Sequence, residues 1–222
     1  MAAQQTTTVY FISGLGADKR VFKYIQLPEG YNAVYLDWLK PGHKEALTAY
    51  AQRMAAGINT TQPFVLLGLS MGGMIATEIA KLYPPQQLIL LSSIPHHTQL
   101  PFYFKWAGKL HLQKIVPLSF VKAAAKTKRL FTNEKNEDKQ LIRQLIAETD
   151  NYFLRWAMSA IVNWKGGIPS AGYVHIHGDR DEILPHRFVQ PTHTVKRGSH
   201  LMVLTRPRAI NEILSTVLAV NC

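Results

Sequence analysis

The sequence predicts an α/β fold: a mostly parallel sheet of about six strands flanked by helices, with an all-helical segment inserted near its middle. Three observations predict it. The first ninety or so residues alternate short apolar runs with helix-period segments, the rhythm of βαβ units. From Pro95 to Gly167 only helical patterns appear. After that stretch the alternation of strand and helix resumes.

Taken in order, Thr8 to Ile12 is a β-branched and aromatic run that ends in the loop Ser13-Gly14-Leu15-Gly16. Ala33 to Leu36 forms a second strand, stopped by the turn signal Pro41-Gly42. Leu47, Tyr50, Ala51, Met54, Ala55 and Ile58 recur at intervals of three and four, which predicts an amphipathic helix. Pro63 to Leu69 is apolar throughout, as expected of a strand buried on both faces. Met74, Ile75, Ile79, Leu82 and Tyr83 mark the next helix, ended by Pro84-Pro85, and Leu88 to Leu91 is a fourth strand.

The following seventy residues carry stripes such as Leu141, Ile142, Leu145, Ile146 and Thr149, then Tyr152, Phe153, Trp156, Ala160 and Ile161. A structureless loop of this length is implausible inside a compact domain, so the stretch is read as a helical lid. Past Gly166-Gly167 and Pro169 come a strand at Tyr173 to His177, a short helix near Pro185 to Val189, and a strand at His193 to Lys196. Thr205 is the expected cap of a terminal helix with Pro207 in its first turn, burying Ala209, Ile210, Ile213, Leu214, Val217 and Leu218. The resulting organisation is a core in two parts, residues 1–94 and 168–222, interrupted by a helical cap at 95–167.

Composition narrows the function classes. A 222-residue chain with 47% hydrophobic residues can bury a core of its own. Its first eight residues show no basic leader or apolar signal run, and no stretch reaches membrane-spanning length, so stable membrane insertion and export are not expected. One cysteine, Cys222, excludes an internal disulfide and fits a reducing cytoplasm. Of the formal charge of +11, the segment from His96 to Lys165 carries +7, from twelve Lys/Arg against five Asp/Glu. That concentration reads as a solvated helical surface rather than a nucleic-acid interface.

The chemistry centres on Gly68-Leu69-Ser70-Met71-Gly72, which fits G-x-S-x-G directly after a strand and directly before a helix. In that setting the serine is forced towards positive φ, and side chains two residues away on either side would collide with the turn. Serine needs a base to take its proton and a group to hold that base in the right tautomer. Gly178-Asp179-Arg180-Asp181 follows a strand and offers two carboxylates where strand C-termini gather. Of nine histidines, His200 alone lies in a glycine-containing loop between the last strand and the last helix. His175 and His177 are strand residues, expected to be packed or hydrogen-bonded in the core. An oxyanion needs two donors: the Met71 amide is one, and the loop Ser13 to Gly16, otherwise an ordinary βα turn, offers the Leu15 amide as the other.

These residues together resemble the α/β-hydrolase superfamily, in particular its small bacterial members with a helical cap. The resemblance rests on Gly14 to Gly16, Gly68 to Gly72, His177-Gly178-Asp179-Arg180-Asp181 and Gly198-Ser199-His200, and spans nearly the whole chain. In that family the acid usually stands three residues after the loop glycine, which selects Asp181 over Asp179. Two departures stand out: Ser13-Gly14 replaces the family's usual His-Gly, and the N-terminal part is too short for the two leading antiparallel strands. Relatives that open epoxides or displace halide generally carry aspartate at the elbow, so Ser70 points instead to acyl transfer to water.

The resemblance implies an esterase-like serine hydrolase acting on a small-molecule ester or thioester, with no metal or organic cofactor. Trp38, His96, Phe102 and Trp156 are the candidate substrate-binding residues, because an apolar acyl or aryl pocket would draw on the aromatics of the lid and of the second loop. The same aromatics could equally be the core of the lid. Two other functions fit the sequence: ligand capture without catalysis, and acyl transfer or thioester cleavage on an anionic acyl carrier.

Overall fold

In the computed structural model the described residues are 6–110, 136–167 and 172–219. Cys222, Pro169 and residues 111–135, which hold part of the basic segment, lie outside them. Six strands form one sheet: β1 (Thr7–Ile12), β2 (Tyr31–Leu36), β3 (Phe64–Leu69), β4 (Gln87–Leu91), β5 (Tyr173–Gly178) and β6 (His193–Val195), in the order β2-β1-β3-β4-β5-β6. Every pairing is parallel. The expected strands are all present, and their bounds differ from the sequence reading by at most two residues.

Burial follows position in the sheet. Central β3 is buried at every residue, whereas edge strand β2 exposes Asn32, Ala33 and Tyr35. Alternate residues of β1 enter opposite layers: Tyr10 and Ile12 pack with α1 (Leu47–Met54) and α2 (Met71–Leu82), and Val9 and Phe11 pack on the other side. That second layer contains α6 (Met202–Thr205) and α7 (Pro207–Ala219), whose Ile210, Leu214 and Leu218 are fully buried.

Between β4 and β5 the described residues are helical: α3 (Phe102–Lys109), α4 (Asn136–Glu148) and α5 (Asn151–Asn163). Asp150 caps α5, its side chain accepting from the Phe153 amide at 2.8 Å. Buried Phe153, Trp156, Ala157 and Ala160 lie on one face of α5, in the layer formed by α1 and α2. Glu78, buried in α2, is neutralised by Lys81 at 2.8 Å and accepts from the Trp164 indole at 2.8 Å, which ties the end of this helical segment to the core.

Two expectations are corrected. Thr205 does not cap the terminal helix: it is the last residue of α6, and Arg206 alone separates it from Pro207. The chain turns through a full helical turn before Pro207, so the residue that resembles a cap is already helical. The short helix near Pro185 is a single 3-10 turn, His186–Phe188.

Candidate active site

Strand order determines where chemistry can be done. The chain leaves β1 for β2 at one edge, then returns to β3 on the other side of β1, so the direction of winding reverses between β1 and β3. Open parallel sheets bind ligands outside the strand C-termini at such a point. The two loops that meet there are Ser13 to Gly16 and the turn at Ser70. A Cβ on Gly14 would stand 3.3 Å from that of Ser70.

Ser70 is held at φ 53° and ψ −119°, between the last residue of β3 and the first of α2. Such a conformation in a non-glycine residue costs about 1–3 kcal/mol and persists only where the surroundings impose it. Here they do. A side chain on Gly68 would meet the Gly73 nitrogen at 2.5 Å, and one on Gly72 would meet the Ile12 carbonyl carbon at 2.7 Å. The Ser70 amide donates to the Leu91 carbonyl at 2.9 Å, and Ser93 Oγ donates to the Ser70 carbonyl at 2.6 Å. Gly73 is also required, because a Cβ there would stand 2.5 Å from that of Ser93. The pentapeptide pattern stops one residue short of Gly73, and Ser93 belongs to a different strand end, so neither was visible in the motif.

The structure brings Ser70, His200 and Asp181 together. His200 Nε2 lies 2.9 Å from Ser70 Oγ, and Nδ1 lies 2.8 and 3.0 Å from the two oxygens of Asp181. A carboxylate only accepts, so the proton sits on Nδ1 and the Nε2 lone pair faces the serine hydroxyl. His200 and Asp181 are both buried. Burial lowers the His200 pKa, but the Asp181 charge and hydrogen bond outweigh it and hold the imidazole above its ordinary value. For Asp181 burial acts upward and is outweighed by the His200 charge and hydrogen bond, with His177 and the Leu184 amide adding to them, so its carboxyl is held below the usual range.

The loops of acid and base cross through two glycines. A Cβ on Gly178 would stand 2.9 Å from the Gly198 Cα, and the Arg180 amide donates to the Gly198 carbonyl at 2.9 Å. Asp179 is exposed on the same turn and Asp181 points inward.

The two amides expected to face an oxyanion, those of Leu15 and Met71, donate to no protein acceptor among the described residues. Their loop is braced from two sides. Ser13 Oγ donates to the Ala17 carbonyl at 2.9 Å and Trp38 Nε1 donates to the same oxygen at 2.8 Å, while the Ala17 amide closes the turn on Gly14 at 3.0 Å. Ser13, at the position of the resemblance's usual histidine, thus supplies the loop with a hydrogen bond of its own.

Of the four candidate substrate-binding residues, Trp38 and Trp156 share the ring neighbours Tyr50 and Phe153, whereas Phe102 and His96 have other ring partners. Trp38 packs on Phe153 with ring centres 5.0 Å apart and lines a cavity of about 850 Å³ with Gly16, Leu39, Leu145, Thr149 and Phe153. This cavity opens one residue beyond Leu15, and at its rim Arg20 pairs with Asp18 and Glu148. Trp156 is in the core, stacked on Tyr50 at 4.3 Å with its indole N–H on the Glu45 carbonyl at 2.8 Å. Phe102 is exposed at the start of α3, beside Phe188. His96 stacks on His97 and accepts from the Thr98 amide at 3.2 Å.

A model of the Alpha/beta hydrolase family matches residues 9–213, which include every element of the sheet but the first two residues of β1. The chain belongs to that family. Solved structures with the same fold include a hydrolase from Pseudomonas aeruginosa PA01 (TM-score 0.77, 14% identity, covering 98% of this chain and 92% of that one). An esterase from Thermogutta terrifontis (0.67, 17%, 97% and 90%) and an epoxide hydrolase from Bacillus megaterium (0.71, 14%, 97% and 94%) are similar in the same way. No curated protein matches the sequence. Identities this low establish the shared fold and leave the chemistry to the residues of this site.

Proposed function

We propose that this alpha/beta hydrolase is a serine hydrolase that cleaves a carboxylic ester or thioester through an acyl-enzyme. The observation that carries the proposal is the continuous chain from Ser70 Oγ through His200 to Asp181, built on a serine held at positive φ. Ser70 Oγ attacks the substrate carbonyl carbon while its proton passes to His200 Nε2, and Asp181 stabilises the imidazolium so formed. The amides of Leu15 and Met71 receive the oxyanion. Collapse expels the alcohol or thiol, which takes the proton from His200. Water then repeats the sequence with His200 as base and releases the acid.

Residues 95–167, whose described helices are α3, α4 and α5, are assigned to a cap, and the cavity beside Trp38, with an apolar wall of Leu39, Leu145 and Phe153 and charged Asp18, Arg20, Lys40 and Glu148 in its lining, is the place proposed for an apolar acyl or aryl group. No helix among the described residues is long and apolar enough to cross a membrane. The cytoplasm is the compartment we assign, on the low cysteine content of the sequence.

A fluorophosphonate probe tests the assignment. Labelling is expected in the native chain and absent in Ser70→Ala, with a distant serine variant such as Ser215→Ala still labelled. Folded protein that takes no label would instead make this a ligand-binding member of the family.

A further inference from the structure

Two buried titratable side chains of β5 have no part in the chemistry above. His175 and His177 have no exposed surface; His177 lies against Asp181 and His175 lies against His177. The oxygens of Asp181 are unequally served. Oδ1 accepts from the amides of Ile183 and Leu184 at 2.9 and 2.7 Å, besides the longer contact with His200. Oδ2 faces two imidazoles, His200 Nδ1 at 2.8 Å and His177 Nε2 at 3.3 Å.

Hydrogen-bond chemistry then fixes the tautomers. His177 Nε2 is also 2.8 Å from the Leu184 carbonyl. Both neighbours only accept, so this nitrogen carries the proton and Nδ1 of the neutral ring is a lone pair. His175 Nε2, 3.2 Å away, must donate to it. That leaves His175 Nδ1 as the lone-pair nitrogen; it makes no hydrogen bond of ordinary geometry among the described residues, although the Ser93 backbone acts on the ring. Both rings stay neutral. Burial pushes His175 down to about 3, with His177 adding to the effect and the Ser93 backbone opposing it. Burial lowers His177 as well, against the opposing pull of Asp181.

We propose that His177, locked in its Nε2–H tautomer by His175, is a positioning residue that clamps the Asp181 carboxylate onto His200. The proposal rests on the Ser70–His200–Asp181 reading. The link runs through Leu184, whose amide donates to Asp181 while its carbonyl accepts from His177; the ring itself stands 3.3 Å from Oδ2 in contact without a hydrogen bond. The groups facing this ring are Asp181, His175, His200 and His186, whose ring centre is 6.3 Å away. Glu182 lies beside His200 and adds to its charge balance. Without the clamp the carboxylate can turn away, and the imidazolium at His200 loses part of what holds its pKa up.

The test combines 15N-histidine NMR of the native protein with the pH dependence of fluorophosphonate labelling and p-nitrophenyl acetate hydrolysis in His177→Phe and His177→Gln. The expected native spectrum has His177 neutral and Nε2-protonated wherever the protein is folded. In His177→Phe the acid limb should move down by about half a pH unit, with kcat falling about tenfold at unchanged KM. His177→Gln, whose amide can reach the Leu184 carbonyl, should recover most of that loss. A merely structural role would lower the fraction of labelled sites and leave the acid limb in place, which would overturn the proposal. So would an Nδ1-protonated His177, or one that titrates with His200. If His177→Phe does not fold, the tautomer and the glutamine variant decide the matter. A native chain that resists labelling would remove the serine hydrolase reading and this inference with it, whereas native labelling with an unchanged variant profile removes this inference alone.

Discussion

At Asp181 and Asp179 two carboxylates two residues apart meet opposite environments. Asp181 is buried and accepts from His200 and two backbone amides, whereas Asp179 faces solvent. Asp181→Asn should therefore lower kcat for ester hydrolysis by about 10³–10⁴-fold, because an amide can present its N–H to His200 and favour the wrong tautomer. Asp179→Asn should stay within about twofold of the native rate; comparable losses in both would count against the assignment. Ser70 and His200 were legible as candidates because each sits in a short local pattern, and family spacing favoured Asp181; the structure brings the three side chains within hydrogen-bond distance. The burial of His175 and His177 was legible too, but Gly73, Ser93 and the partners of that pair were not, since these arise from contacts between segments outside the motifs. What the motif describes is a turn; what holds the turn includes a hydroxyl 23 residues away.

At the level of elements, the strands and helices flanking the sheet were readable from period and punctuation, and the misplaced cap at Thr205 fell where one helical turn abuts another. Trp38 illustrates what periodicity does not convey. Besides lining the cavity, it commits its indole N–H to the Ala17 carbonyl while its ring packs on Phe153 of α5. The second strand's loop thus braces the glycine loop and meets the helical segment with the same side chain. Trp38→Phe keeps the packing and removes one donor, so a loss of about 1 kcal/mol in stability is expected. Because the Ser13 bond to Ala17 remains, kcat should fall about three- to tenfold rather than vanish. Stopped-flow acylation with a p-nitrophenyl ester would measure it, and an unchanged acylation rate would argue that the brace does not reach the Leu15 amide.

For the whole molecule, the buried imidazoles make stability depend on pH in a definite direction. His175 has a folded pKa of about 3 against an ordinary 6.5, so below about pH 6.5 the unfolded chain binds a proton that the folded chain refuses. Stability is complete above that value and declines as pH falls towards 3. At about pH 4.5 the difference amounts to about 2–3 kcal/mol, and His177 acts in the same sense. His200 is the opposite case: its raised pKa stabilises the folded state below the ordinary value, and that contribution is lost as pH rises through the folded one. Urea unfolding at about pH 7 and pH 4.5 should show the loss, and His175→Leu should flatten it; an equally steep loss in the variant would place its origin elsewhere.

The sheet order also imposes a sequence in time. Ser70 and His200 are separated by 130 residues, and the two strands that precede the loops of Asp181 and His200 are the last of the six in chain order. During synthesis the elbow can be complete while β4 still presents an open edge where β5 will pair. On the proposed mechanism a nascent chain is chemically silent until the segment carrying β5, Asp181 and His200 docks, and that docking covers the open edge of β4 in the same step.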